Sequence, residues 1–214
     1  MWHSLVLGHQ LLVELVEVDE NITRQVAAAG CPECGGPLYR SDYDRKPRGG
    51  LLVPETDAFR RRFSLCCGRE GCRRRTTPPS VRFLGPKVYV GAAVLLASAL
   101  ALLVQGATEL RRSTGIPTRT VRRWGGWWRT EIPVTALFLA LAGRIVPPLE
   151  TATLPLSLLE RLTGTAIERL VSALGLLAPL TTRSVPDGAW FLRGALSPAG
   201  FAQKMSFCEA QRSE

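Results

Sequence analysis

A chain of 214 residues with a formal net charge of +9 has room for one domain of ordinary size or for a few small modules in series. Its excess of 27 Lys and Arg over 18 Asp and Glu suits a partner of dense negative charge, either nucleic acid or an anionic membrane surface. Six cysteines follow a start, Met-Trp-His-Ser-Leu, that lacks a basic leader and a cleavage site, which argues against a secreted disulfide framework and for a reducing cytoplasm.

The N-terminal segment from about Gln10 to Ala29 has Leu11, Leu12, Leu15 and Val16 and then, after a polar break at Asp19 to Asn21, Ile22, Val26 and Ala27. That spacing predicts a helix. Glu14, Glu17 and Glu20 give it an acidic outer face, so it is expected to pack or to dock a partner rather than to touch DNA. Residues 1–39 carry a net −4, whereas residues 40–87 carry +8 and residues 107–131 carry +4. The positive charge is confined to two blocks.

From Cys31 to Arg75 the chain is rich in Gly, Pro and Arg, with short apolar runs at Leu51 to Val53 and Phe59 to Leu65 that predict hairpin strands. So little apolar material cannot build a core alone, and a bound metal is the usual remedy. Cys31-Pro-Glu-Cys34-Gly-Gly has the form of a metal knuckle, two thiolates flanking a tight turn. Cys66-Cys67-Gly-Arg-Glu-Gly-Cys72 supplies the other half. Four ligands are needed for one structural Zn2+, and five cysteines are offered: Cys31, Cys34, Cys72 and either Cys67, favoured by its shorter loop, or Cys66. A catalytic zinc is not expected, since His3 and His9 lie far upstream. The insert between the halves carries Arg45-Lys46-Pro47-Arg48-Gly49-Gly50 and is expected to be a mobile basic loop.

Residues 88–104 form an uncharged run at the lower edge of bilayer-spanning length. The run is rich in Ala between polar flanks, so a buried helix is the expectation and a membrane span the alternative. Beyond the second basic block, Pro133 to Leu149 and Leu154 to Leu180 predict mostly helical stretches. In the second of these, Leu158, Leu159, Leu162, Ile167, Leu170, Val171, Leu174 and Leu177 would line one face. The tail from Thr181 onward is expected to be loosely ordered. The expected organisation is a helix at 1–30, a metal module at 31–85, a helical domain at 86–132, further helices at 133–180 and a tail at 181–214.

Residues 107–124, Ala-Thr-Glu-Leu-Arg-Arg-Ser-Thr-Gly-Ile-Pro-Thr-Arg-Thr-Val-Arg-Arg-Trp, resemble the helix-turn-helix of transposases and phage-type regulators. In that arrangement Leu110 anchors the first helix, Gly115 makes the turn, Ile116 packs beneath it and Thr118 caps the second helix, whose inner face is Val121 and Trp124. Arg119, Thr120, Arg122 and Arg123 then fall on or beside the outer face, at the end that enters a major groove. Arg111 stands where such motifs prefer a small residue. Gly125-Gly126 would weaken the helix after Trp124, with Trp127, Trp128 and Arg129 forming a second short turn.

A Cys-x-x-Cys ribbon, Thr-Thr-Pro-Pro at positions 76 to 79, an apolar helix and a helix-turn-helix ending in Arg-Arg-Trp together resemble the N-terminal part of zinc-ribbon transposases, over residues 31 to about 131. The stretches from Cys34 to Gly49 and from Cys72 to Gly85 also look similar to small bacterial proteins associated with mobile elements. The resemblance implies a mainly α fold with a small β zinc ribbon followed by a helix-turn-helix domain. In that family a nuclease-like domain with three carboxylates and two metal ions follows. Here the later acids, Glu131, Glu150, Glu160, Glu168, Asp187, Glu209 and Glu214, have no strand pattern between them, and no catalytic residue carries over.

The expected function is therefore a cytoplasmic, non-enzymatic DNA-binding accessory or targeting protein of a transposable element. Double-stranded DNA would be gripped through Thr118, Arg119, Thr120, Arg122, Arg123 and Arg129 on the helix side, and through Arg45, Lys46, Arg48, Arg73, Arg74 and Arg75 on the ribbon side. The rival expectations are an adaptor that docks a separately encoded transposase or recombinase, and a membrane-anchored metal-binding protein with its span at 88–104.

Overall fold

The computed structural model describes residues 9–45, 57–84, 89–102 and 116–185. It is mainly helical, with small antiparallel sheets. Lys46, Arg48, the run Leu51 to Val53, Leu110, Arg111 and Gly115 lie outside the described residues.

Helix α1 spans His9–Ala29 and ends at Gly30, whose φ of 80° is the left-handed stop that a side chain would resist. Its buried stripe runs Leu11, Leu15, Asp19, Ile22 and Val26, spaced at three and four residues. Asp19 is thus not a break in the apolar pattern but a member of the buried face, only 1% exposed. Its carboxylate accepts from Arg82 Nε at 2.7 Å, the Val81 amide at 2.7 Å and Ser80 Oγ at 2.5 Å. The Arg82 guanidinium lies over the Phe63 and Phe83 rings, at 4.2 and 5.1 Å. A charge this deep is tolerated only when paired and hydrogen-bonded, and here the pairing ties α1 to a segment more than sixty residues along the chain. The outer face behaves as its charge suggests: Glu20 receives two hydrogen bonds from Arg40, at 2.6 and 2.8 Å.

Strands β1 (Leu38–Arg40), β4 (Leu65–Cys67) and β5 (Arg75–Thr76) form a three-stranded antiparallel sheet in the order β1-β4-β5. Between them β2 (Tyr43–Asp44) pairs with β3 (Arg61–Arg62). The run Phe59 to Leu65 is not one strand. A single helical turn, α2 (Asp57–Arg60), precedes β3, and Phe63-Ser64 separates β3 from β4. Phe59, in the helical turn, and Phe63, between the two strands, are both buried.

β6 (Phe83–Leu84) pairs with β7 (Tyr89–Val90), which leads directly into α3 (Gly91–Leu100). Every residue of α3 from Gly91 to Ala99 is buried. A side chain at position 91 would meet Leu174 Cδ2 at 2.8 Å, so the absent Cβ is what permits that approach. The helix is shorter than the apolar run at 88–104 suggested. Ten residues span about 15 Å, and among the described residues no helix is long and apolar enough to cross a membrane.

Helix α4 (Thr118–Thr130) packs on α3, followed by a 3-10 turn at Ile132–Val134 and α5 (Ala136–Ala142). Regular structure in the predicted stretch 133–149 is confined to these two elements. Helices α6 (Leu156–Arg161) and α7 (Ala166–Leu177) complete the layer around α3. Leu158, Leu159, Leu170, Val171, Leu174 and Leu177 are buried, but Ile167 is 40% exposed and does not belong to that face. It sits in the first turn of α7. Thr181 and Thr182 are not loose: Thr181 Oγ1 accepts from the Ser80 amide at 2.9 Å and Thr182 Oγ1 donates to Thr77 O at 2.6 Å. Residues 186–214 lie outside the described residues. One contiguous apolar cluster runs from Leu11 through the sheet to Ala178.

Candidate metal centre

Cys31 and Cys34 sit on a turn closed by two backbone hydrogen bonds, Gly35 N to Cys31 O and Cys31 N to Gly36 O, each 2.8 Å. Gly35, at φ 68°, makes the reversal. Gly36 passes so close beneath the sulfurs that a Cβ there would stand 3.2 Å from Cys67 Sγ and 3.3 Å from Cys34 Sγ. The second turn is closed by Cys72 N to Arg69 O at 3.2 Å and hung from the sheet by Cys67 N to Arg74 O at 2.9 Å.

These turns bring Cys31, Cys34, Cys67 and Cys72 together, with ligand atoms all within 4.8 Å of one another, a group that can hold a metal ion. Cys34 Sγ stands 3.5 Å from Cys67 Sγ, and Cys31 Sγ stands 3.8 Å from Cys72 Sγ. Four sulfurs at about 2.3 Å from a common tetrahedral centre are about 3.8 Å apart, so the observed spacing suits one ion. Cys66 is on the other side of β4, where its thiol faces Arg73 O at 3.5 Å. Neighbouring residues of a strand point to opposite faces, and the pairing of Leu38 with Cys67 and of Tyr39 with Cys66 assigns the inner face to Cys67.

The thiols do not share one environment. The Gly36 amide aimed at Cys34 stabilises its thiolate and brings it down to about 7, against the opposing effect of burial. At Cys67 the Arg69 amide, 3.4 Å from Sγ, works in the same sense, but burial and the neighbouring Cys34, Cys72 and Cys31 outweigh it and push the thiol up to about 12. Cys72 is raised as well, its Arg74 amide contact outweighed by Cys34 and burial. A bound cation is what allows all four to be thiolates together.

Arginines brace this site more than they surround it. Arg69 Nη1 donates to Cys34 O at 2.9 Å and so ties the two cysteine turns to each other. Arg74 pairs with Glu33 at 2.9 Å, and Arg75 donates to Ser41 O at 3.2 Å and Ser64 Oγ at 3.3 Å. Arg73 is exposed at φ 45°. Arg69 escaped the sequence reading because nothing local marks a side chain that bridges to a carbonyl 35 positions away.

In α4, Val121, Trp124 and Trp128 are buried, while Thr118, Arg119, Arg122, Arg123 and Arg129 are exposed and Thr120 is half-buried. At 100° per residue, Arg119 and Arg123 lie opposite the buried stripe and Arg122 and Arg129 on one flank, where both line a groove of about 270 Å³ with Ser98, Leu102 and Ile116. Three expectations need correction. The residue before the first turn is Pro117, with no side-chain cap, so Thr118 is the first helical residue rather than the cap. The helix also runs unbroken through Gly125-Gly126 to Thr130, because Trp124 and Trp128 anchor it on either side of the glycines. Trp127 and Trp128 meet edge to face at 5.0 Å within that helix, not in a second turn. No family model matches the chain, and neither does any curated protein or solved structure.

Proposed function

We propose that this chain is a cytoplasmic, non-enzymatic DNA-binding accessory or targeting component of a transposable element, built on a structural zinc ribbon and a helix-turn-helix whose second helix is α4. The observation that carries the reading is the division of α4 between a buried Val121-Trp124-Trp128 stripe and exposed Arg119, Arg122, Arg123 and Arg129. Guanidinium groups along an outward helix face suit guanine edges and phosphates. Zinc fits four clustered thiolates with no histidine or carboxylate among them. The ribbon's contribution comes through the exposed Arg45, Arg73, Arg74 and Arg75, of which Arg74 also pairs with Glu33.

The test is a gel-shift titration of zinc-loaded protein on mixed duplex DNA at two salt concentrations, beside the triple variant Arg119→Ala/Arg122→Ala/Arg123→Ala. Affinity falls steeply with salt, and the variant lowers the slope of log K against log salt by about three if all three side chains meet phosphates. Duplex binding that is absent, or indifferent to salt and to the variant, overturns the reading. The adaptor reading draws on a different observation: Val134, Leu139 and Val146 are 73, 63 and 88% exposed, and apolar side chains of that exposure suit a protein partner. Copurification of a separately encoded recombinase tests it.

A further inference from the structure

The face of the β1-β4-β5 sheet turned away from the metal cluster carries a row of side chains that the metal does not use. Tyr39 is opposite Cys66, and Cys66 is opposite Arg75, so the three stand side by side across about 10 Å, two strand spacings. Tyr39 is 62% exposed. Its ring rests on Gly68, where a Cβ would run into Tyr39 Cε2 and Cδ2. The missing side chain lets the ring lie against the backbone with its other side open.

Cations continue the row. The Arg75 guanidinium stands 5.4 Å from the Tyr43 ring centre, and Arg45 stands 5.0 Å from the same ring. Arg75 is steadied by its bonds to Ser41 and Ser64 yet is exposed, and five N–H donors leave it capacity for a phosphate oxygen. Arg73, also exposed, lies just before β5.

We propose that this outer sheet face binds single-stranded DNA, with an unpaired base stacked on Tyr39 and the adjoining phosphates met by Arg75, Arg45 and Arg73. A flat, open aromatic ring beside fixed guanidinium groups is the combination that holds unpaired strands. Bases inside a duplex are already stacked on each other and present only their edges, so the Tyr39 ring has nothing to stack on there. The inference rests on the nucleic-acid reading above and deepens it: α4 takes paired DNA, and the metal module takes the strand beside it.

The experiment measures fluorescence anisotropy of full-length, metal-loaded protein with a labelled 15-nucleotide oligothymidine, an abasic backbone of equal length and a duplex. Tyr39→Ala lowers affinity for the oligothymidine about ten-fold, leaves the abasic strand and the duplex unchanged, and Tyr39→Phe restores binding. The exposure of Tyr39 makes loss of fold a poor alternative, and unchanged metal content in both variants checks it. Wild-type affinity that is equal for oligothymidine and the abasic strand, no binding of either, or a Tyr39→Ala variant that binds as wild type each overturns the proposal. The α4 triple variant separates the two readings. Loss of duplex alone supports both, whereas oligothymidine binding by a protein that never binds duplex sustains this inference and removes the α4 one.

Discussion

Among the described residues between Gly91 and Leu177 almost every turn of helix buries a Leu, Val, Ala or Trp, and Trp128, Leu159 and Leu170 are fully enclosed. Among the described residues between Cys31 and Thr76 the strands are two or three residues long, and the buried apolar side chains are Cys31, Leu38, Phe59, Phe63, Leu65 and Cys67. The helical half holds itself by area removed from water. Among its described residues the strand half has fewer such groups to set against the entropy of ordering its turns, and its four clustered sulfurs can add the binding energy of a metal. The two halves share one apolar cluster but lean on different further supports, and each support can be removed separately.

Removing the metal has the largest expected effect. Metal release at a thiolate site of this type forfeits on the order of 10 kcal/mol of apparent binding free energy, so a strong chelator should strip amide exchange protection from residues 31–76 while α3 and α7 keep theirs. Cys67→Ala should act like the chelator, and Cys66→Ala should leave metal content as it was. Hydrogen exchange read by mass spectrometry decides this. Equal loss of protection in both halves would mean that the contrast between them is false.

The second effect falls on the join. Asp19 and Arg82 form a pair 1 and 0% exposed, 2.7 Å apart, linking α1 to the segment that leaves the strand half for the helices. Asp19→Ala leaves a buried guanidinium without its carboxylate and should cost about 3–5 kcal/mol. Joint replacement, Asp19→Leu with Arg82→Met, should recover much of that loss, because two apolar groups leave no charge stranded. Urea denaturation of the metal-loaded protein measures both. If the double variant is as unstable as the single one, the network contributes through the Val81 amide and Ser80 hydroxyl bonds to Asp19 and not through the charge pair.

What the sequence makes legible here is what depends on near neighbours. Helix α1, the two cysteine turns and the buried stripe of α4 all follow from spacings within a few residues. Asp19 reads locally as a polar interruption, and only the fold reveals the partner 63 positions on that makes it a core residue. Cys66 and Cys67 cannot be ranked by loop length, since the register of β1 against β4 decides which sulfur faces inward. Gly125-Gly126 is a helix breaker by propensity, yet the burial of Trp124 and Trp128 overrides it. Phe59 to Leu65 has the composition of one strand, yet it forms a helical turn and two strands that pair with different partners, β3 with β2 and β4 with β1 and β5, and that pairing is not local to the run.

The smallest effect lies in the helical half and sharpens the contrast, since it needs no ligand at all. Thr165 and Glu168 cap α7 reciprocally: the Thr165 amide donates to Glu168 Oε2 at 2.6 Å and the Glu168 amide to Thr165 Oγ1 at 3.3 Å. Hydrogen bonding from the Thr165 amide, and then from its hydroxyl, holds the Glu168 carboxyl below its ordinary value. A carboxylate favoured by folding contributes stability that is complete above the unfolded value of about 4.3 and is lost as pH falls through the lower, folded one. Thr165→Ala should cost about 1 kcal/mol. Glu168→Gln should lower the melting temperature slightly at pH 7, and its gap from the wild type should close as the pH drops below 4.3. A gap that stays constant across that range would mean that the charge of Glu168 contributes nothing and that the cap rests on the Thr165 hydroxyl alone. Because the strand half has no comparable self-contained cap among its described residues, the same acid titration read by hydrogen exchange should leave its protection unmoved by Glu168→Gln while that of α7 shifts.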